Sequence, residues 1–307
     1  MRTKKKSKKW LKITGVILLI LVIAGGAYAF SVYKSFKNAV ETMHQPVDRE
    51  QTVKRDNPVN FADKDPFSVL LLGVDERKGD RGRSDTIIVL TVNPQKNSVK
   101  MLSIPRDTRT EIVGKGTQDK INHAYAFGGV PMSMDTVEKF LDIPIDYYVQ
   151  VNMEGFKDIV NAVGGVTVQN DLDFTQNGHH FPKGEVSLNG EEALAFTRMR
   201  HEDPRGDFGR QIRQREIIQA VINEGKSLST LTKFSNIFTA LGNNVKTNLT
   251  FDQMVDIQKN YKDTSSNIEQ MSVKEIGTRI NNIYYGLVSD EEKARIQSEL
   301  KTQLDLN

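Results

Sequence analysis

The chain has 307 residues, enough for one large or two small domains, no cysteine and a formal net charge of +3. That charge is local: residues 1–12 carry seven basic side chains and no acid, and the remainder holds 35 basic against 39 acidic residues, a net of −4. An acidic body argues against nucleic-acid binding, and the absence of cysteine excludes a disulfide framework and thiol chemistry.

The N-terminal basic run ends at Trp10-Leu11-Lys12, and residues 13–33 then carry no charge. At about 1.5 Å per residue a helix of that length matches a hydrocarbon core of about 30 Å. The basic flank predicts the N-terminus inside and everything after Tyr33 outside, with Tyr28, Phe30 and Tyr33 as an outer aromatic belt. The rival reading is a cleaved signal peptide, since Ala27-Tyr28-Ala29 resembles a cleavage site, although the apolar run is long for one. Residues 34–65 are polar, contain Pro46 and Pro58, and read as a partly helical linker before a domain spanning 66–307.

Three short runs rich in Val, Ile and Leu follow, at Phe67–Leu72, Thr86–Val92 and Val99–Ile104, each bounded by Gly, Pro, Asn or charge. They read as buried strands, and Asn93–Asn97 is turn chemistry that makes the second and third a hairpin. Asp119–Gly129 is a short segment stopped by a glycine pair, and Val130–Leu141 has helical period. Ile145–Val151 reads as a strand, Phe156–Val163 as a helix stopped by Gly164-Gly165, and Val166–Val168 as a strand. Asp171–Gly184 reads as a polar loop. Helices are predicted over Asn189–Met199, Phe208–Gly225 with Asp207 as N-cap, Leu228–Leu241, Phe251–Tyr261 and Ser289–Leu300, with strands at Ile268–Val273 and Ile283–Leu287. This alternation predicts an α/β fold with a mixed central β-sheet sandwiched by helices.

Charges gather at the ends of the first three strands: Asp75, Arg77, Arg81, Arg83, Asp85, Arg106 and Asp107. Carboxylates beside guanidinium groups suit a metal and a phosphate together. The bland alternative is a solvated surface loop. A second cluster, Arg198 and Arg200, closes one predicted helix, and Arg210 opens the next with Gln214 four residues on, on one face that continues through Ile217 and Val221. That stripe is either an ordinary amphipathic face or an anionic head site leading onto apolar surface, as an amphiphile with a lipid tail requires. Gly114–Thr117 is too short for a phosphate-binding loop. The adjacent His179 and His180 do not face one ion, and Arg205-Gly206-Asp207 and the Asn248 sequon carry no weight.

The segments LLLGVDER, GRSDTIIVLTVNP, MLSIPRDT, KINHAYAFGG, VGGVTV, LNGEEALAFTRMRH and DFGRQIRQREII together resemble the LytR–CpsA–Psr family, from about Pro66 to beyond Gly225. The resemblance is to its LytR-type wall teichoic acid ligases and implies a membrane-anchored, outward-facing phosphotransferase. It would move a glycopolymer from a polyisoprenyl pyrophosphate carrier to peptidoglycan, forming a phosphodiester at the N-acetylmuramic acid C6 hydroxyl. It further implies Mg2+ on Asp75 and Asp85 and pyrophosphate on Arg83, Arg106, Arg198, Arg200 and Arg210 with Gln214 beside them. The lipid would lie in an apolar tunnel between sheet and helices. Asp75, Asp85, Arg106 and Arg200 are then the expected catalytic residues, with Asp75 the candidate base. Two other classes stay open: a lipid-binding regulatory module, and a pyrophosphatase using water as acceptor.

Overall fold

The computed structural model describes residues 30–306 except 32, 35, 36, 50–53, 56, 77–81, 228–240 and 243. The basic tail, residues 13–29 of the expected anchor and nearly all of the expected helix Leu228–Leu241 lie outside the described residues. Among those described, no helix is long and apolar enough to cross a membrane.

The three expected strands, β1 (Phe67–Val74), β2 (Ser84–Asn93) and β3 (Ser98–Ser103), form an antiparallel meander that contains the expected β2–β3 hairpin. The β2–β3 turn forms because Asn93 Oδ1 accepts from the backbone N–H of Gln95 and Lys96 at 2.9 and 3.0 Å, while Asn97 takes the left-handed conformation. A short hairpin follows, β4 (Arg109–Ile112) and β5 (Thr117–Lys120), then helix α1 (His123–Leu141). The glycine pair does not end this helix but breaks it: Gly129 sits at φ 65°, ahead of Pro131, and helical geometry resumes beyond.

Strand β6 (Tyr147–Asn152) runs parallel to β1 and leads into α2 (Met153–Ala162), capped by Asn152 Oδ1 accepting from Gly155 N–H at 2.8 Å. The segment expected as a polar loop is structured. Between β7 (Val166–Asn170) and β10 (Gly184–Leu188) it forms a small hairpin, β8 (Phe174–Gln176) and β9 (His179–Phe181). Two aromatic residues in an otherwise polar stretch are the reason. Phe174 and Phe181 stack at 5.0 Å and close on Phe196 in a second core, which repays ordering the backbone. Helix α3 (Gly190–Arg198) opens with a capping box of Asn189 and Glu192, and α4 (Asp207–Ser227) follows. The chain ends with β11 (Val245–Thr247), α5 (Phe251–Asn260), β12 (Ile268–Ser272), a hairpin of β13 (Ile276–Ile280) and β14 (Ile283–Leu287), and α6 (Asp290–Gln303).

One six-stranded mixed sheet has the order β11-β6-β1-β2-β3-β12. On one face Leu70, Leu72, Val89 and Leu102 meet Met134, Val137 and Phe140 of α1 and Ile296 and Leu300 of α6. On the other, Phe67, Val69 and Tyr147 meet Phe61 from the segment before β1 and Leu249 and Tyr261, which flank α5. Helices therefore cover both faces, as predicted. Each such fully buried aliphatic side chain contributes about 1.5–3 kcal/mol.

The expected linker is docked over its described residues. Val40 and Met43 are buried, Phe61 lies in an aromatic cluster, Arg55 Nε donates to Asp146 Oδ1 at 2.7 Å, Arg49 Nη1 donates to Asp135 Oδ1 at 2.7 Å, and Lys54 pairs with Asp142. Apolar residues here are too sparse for a periodic signal, yet Val40, Met43, Val47, Val59 and Phe61 pack against the core clusters of the body. Tyr33, expected in the membrane belt, packs edge-on against Phe251 at 5.3 Å.

Candidate active site

The topology puts chain ends at one edge of the sheet. β1, β3, β6 and β12 are mutually parallel, so their C-terminal ends share an edge with the start of the antiparallel β2. Asp75 follows β1, Asp85 is the second residue of β2 and Arg106 follows β3. The register explains Asp85 further. Gly73 pairs with Thr86 and Val74 with Ser84, so Asp85 is the unpaired residue of a β-bulge. A bulge re-aims a side chain that regular pleating would place elsewhere. Asp75 N–H donates to Arg83 O at 3.3 Å, closing the loop. Gly82, at φ 70°, lies so close to the Asp75 carbonyl that any Cβ there would collide with it.

Arg106 Nη1 lies 3.0 Å from Asp85 Oδ1, and its Nε lies 3.6 Å from Asp107 Oδ2. Burial works against the Arg106 charge, but Asp85, then Asp107 and Asp207, outweigh it and hold the guanidinium above its ordinary value. Arg210 comes from the first turn of α4 and is largely buried, with Nη2 2.7 Å from Asp207 Oδ1. Its value is shifted down, chiefly by burial; Arg106 and Arg200 add to this while Asp207 and Asp85 oppose it. Asp85, Arg106, Arg200, Asp207 and Arg210 thus share one electrostatic neighbourhood.

Apart from Asp207 Oδ1, which the Arg210 ion pair satisfies, six buried side-chain polar atoms among the described residues have no hydrogen-bond partner, and three are here: Ser84 Oγ, Arg210 Nε and Gln211 Oε1. Buried polar atoms are nearly always paired, so such a concentration marks a place where a ligand completes the bonding.

The other predicted residues are placed differently. Arg200, although within reach of the Arg210 charge, is exposed, as is Arg83 in the loop before β2. Arg198 donates from Nη2 to Met153 Sδ at 2.9 Å, at the start of α2. Gln214 is half-buried one helical turn beyond Arg210. Ile217 does not offer open apolar surface: it is fully buried in the second core with Val186 and Phe196. That part of the predicted stripe is filled by the protein itself.

Two groups were not singled out as site residues from the sequence. Asp207 reads there only as an N-cap, yet it stands among the arginines. Glu76 is held by Tyr125 Oη at 2.6 Å and Gln150 Nε2 at 3.0 Å, both donating to its Oε1. The charge-rich loop signal includes Glu76, but nothing local distinguishes it from its neighbours.

A hard cation suits the oxygen donors Asp75 and Asp85. Among the described residues no cluster of three or more His, Cys, Asp or Glu could enclose an ion. Two carboxylates leave most of a coordination shell to water and substrate phosphate, which is how magnesium is bound.

A family model described as the LytR_cpsA_psr family matches residues 30–302. The chain is 55% identical, over 99% of both lengths, to a Bacillus cereus protein named polyisoprenyl-teichoic acid–peptidoglycan teichoic acid transferase TagU. Among solved structures it is similar to Bacillus subtilis TagU, with 54% identity, a TM-score of 0.66, and coverage of 80% of this chain and 99% of that one. It is also similar to a structure described as TagT bound to LI-WTA, with 33% identity, a TM-score of 0.73, and coverage of 86% and 100%.

Proposed function

The chain belongs to the LytR–CpsA–Psr family, and we propose that it transfers a teichoic acid from a polyisoprenyl pyrophosphate carrier to peptidoglycan. One observation carries this reading. Asp85, Arg106, Arg200, Asp207 and Arg210 converge at the C-terminal edge of the sheet, where partnerless buried polar atoms concentrate.

The chemistry matches these groups. The acceptor is a sugar hydroxyl, read as the C6 hydroxyl of N-acetylmuramic acid. Its oxygen bonds to the polymer-side phosphorus while the bond from that phosphorus to the bridging oxygen breaks. Polyprenyl phosphate leaves with the bridging oxygen, and the hydroxyl proton passes to a carboxylate and on to solvent. Such a transfer needs in-line positioning and charge neutralisation far more than covalent help. Arg106, Arg200 and Arg210 supply permanent positive charge, and their planar forks match phosphate oxygens with paired donors. Arg83, Arg198 and Gln214 would extend this cradle. Asp75 and Asp85 would hold magnesium, which when bound neutralises phosphate charge. Asp85 also orients Arg106 through their 3.0 Å ion pair. The uncharged segment 13–33 and the basic tail before it would anchor the protein with its body outside the cell membrane.

The test incubates the full chain with a lipid-linked teichoic acid precursor and peptidoglycan oligomers, with and without Mg2+. Polyprenyl phosphate should appear only with the acceptor present, together with polymer joined to the glycan. Release of polyprenyl phosphate with water alone at the same rate would replace the transferase by a hydrolase.

A further inference from the structure

We propose that one face of the β13–β14 hairpin, presenting Tyr284 and Glu275 over Gly277 and Gly286, is the subsite that seats the sugar acceptor. This rests on the transferase reading above. Glu275 lies three residues past the end of β12, so it emerges at the sheet edge that carries Asp75, Asp85 and Arg106. The hairpin is stitched to the Arg106 loop. Gly286 N–H donates to Asp107 O at 2.9 Å, Thr108 bridges to Gly286, and Thr108 Oγ1 donates to Glu275 Oε2 at 3.1 Å.

Strand alternation puts Glu275, Gly277 and Arg279 on one face with Tyr284 and Gly286. Gly277 and Gly286 are directly paired across the hairpin. A Cβ on Gly286 would collide with the Glu275 carboxylate, and one on Gly277 would come within 2.6 Å of Tyr284 Oη. Two opposed glycines thus let a carboxylate and an aromatic ring lie flat, side by side, on bare backbone. Glycine weakens a strand, so a pair of them is expected where something must approach closely.

Both groups also lie within electrostatic reach of the transfer centre. Tyr284 is raised first by burial and then by Glu275, Asp107 and Asp207, with Arg200 opposing. Glu275 is pushed up to about 6, chiefly by burial with Asp107 and Asp207 adding, against its bond from Thr108. Yet Tyr284 is 44% exposed. A half-open aromatic ring beside a carboxylate suits a sugar: its C–H face packs on the ring, and its hydroxyls donate to the carboxylate. The charge pattern divides the substrates. Asp107 and Asp207 are paired with Arg106 and Arg210, whereas the Glu275 carboxylate repels a phosphate and a hydroxyl-rich glycan carries no charge penalty beside it.

The test uses the full chain in detergent micelles and un-cross-linked peptidoglycan glycan oligomers. Direct titration should show binding to wild type, weakened at least tenfold in Tyr284→Ala and largely retained in Tyr284→Phe. In turnover, Tyr284→Ala and Glu275→Gln should raise the acceptor KM severalfold while the affinity for the lipid-linked donor is unchanged. Gly286→Ala, which displaces the Glu275 carboxylate, should resemble Glu275→Gln. Three results would overturn the subsite: no glycan binding by wild type, wild-type glycan affinity in Tyr284→Ala, or donor affinity and melting temperature falling in step with acceptor affinity. If wild type binds glycan through Tyr284 but never consumes the donor, the subsite stands and the transferase reading fails.

Discussion

Asp203→Asn changes charge while preserving shape, at the joint that sets the arginines relative to one another. Asp203 lies in the loop between α3, which ends at Arg198, and α4, which starts at Asp207; Arg200 is in the same loop. Its carboxylate side chain is 0% exposed and that of Arg213 is 2% exposed. Arg205 donates to it from its backbone N, Nε and Nη2 at 2.8, 2.9 and 2.9 Å, and Arg213 Nη1 donates at 2.7 Å. Arg213 Nη2 spans to Met199 O at 2.6 Å, tying α4 back to the end of α3.

Burial alone would raise the Asp203 pKa. The bonds from Arg205 and Arg213 outweigh it and hold the carboxyl well below the usual range. Its stabilisation is therefore complete above the unfolded value of about 3.9 and disappears only as pH falls toward strong acid. Asparagine keeps the volume but leaves Arg213 a buried cation without a counter-charge. Breaking a buried pair this way costs about 3–5 kcal/mol. For a domain of this size, at about 2–4 °C per kcal/mol, the melting temperature should fall by roughly 6–20 °C at pH 7. Calorimetry measures it. The paired change Asp203→Leu with Arg213→Met should recover most of the loss, since apolar residues of similar volume replace buried ion pairs at little cost. A drop below 2 °C in Asp203→Asn, or no recovery in the double variant, would refute the argument.

Arg106→Lys and Arg210→Lys should each lower transfer by one to two decades, with melting temperature nearly unchanged, because a lysine point charge replaces a two-donor fork; roughly 1.5–3 kcal/mol is at stake. A melting-temperature fall matching the lost rate would assign these arginines to the scaffold instead. Asp75→Ala or Asp85→Ala should abolish turnover and its dependence on Mg2+ while donor binding persists, weakened, through the arginines; full wild-type activity in EDTA would discard the metal. Protonation of Glu275 as pH falls through about 6 should weaken acceptor binding in wild type but not in Glu275→Gln. Since its folded value lies above 4.5, its favourable contribution to stability is present below 4.5 and lost as pH rises through about 6, so at pH 8 Glu275→Gln should melt no lower than wild type. In this cysteine-free chain, Lys183→Cys should react with a membrane-impermeant maleimide on intact protoplasts, and labelling only after lysis would reverse the topology.

Much of this molecule is written locally. The runs Phe67–Leu72, Thr86–Val92 and Val99–Ile104 are short, apolar and bounded, so buried strands follow from the sequence alone. Asn189 with Glu192 and Thr250 with Gln253 announce helix starts because a capping box is a contact three residues long. The charges at strand ends are equally visible, and with them the chemistry of carboxylate and guanidinium. What the sequence does not contain is which distant charges meet. Arg106 and Arg210 are about a hundred residues apart, and only parallel pairing of β12 with β3 and the packing of α4 bring Asp207, Arg200 and Glu275 to one edge. The bulge that frees Asp85 depends on a cross-strand register, which no single strand encodes. Ile217 and Phe174 became core, and the described residues of the 34–65 segment a docked strap, for the same reason. Periodicity tells which face of an element is apolar, while its partner is chosen by long-range packing, and that choice exists only in three dimensions.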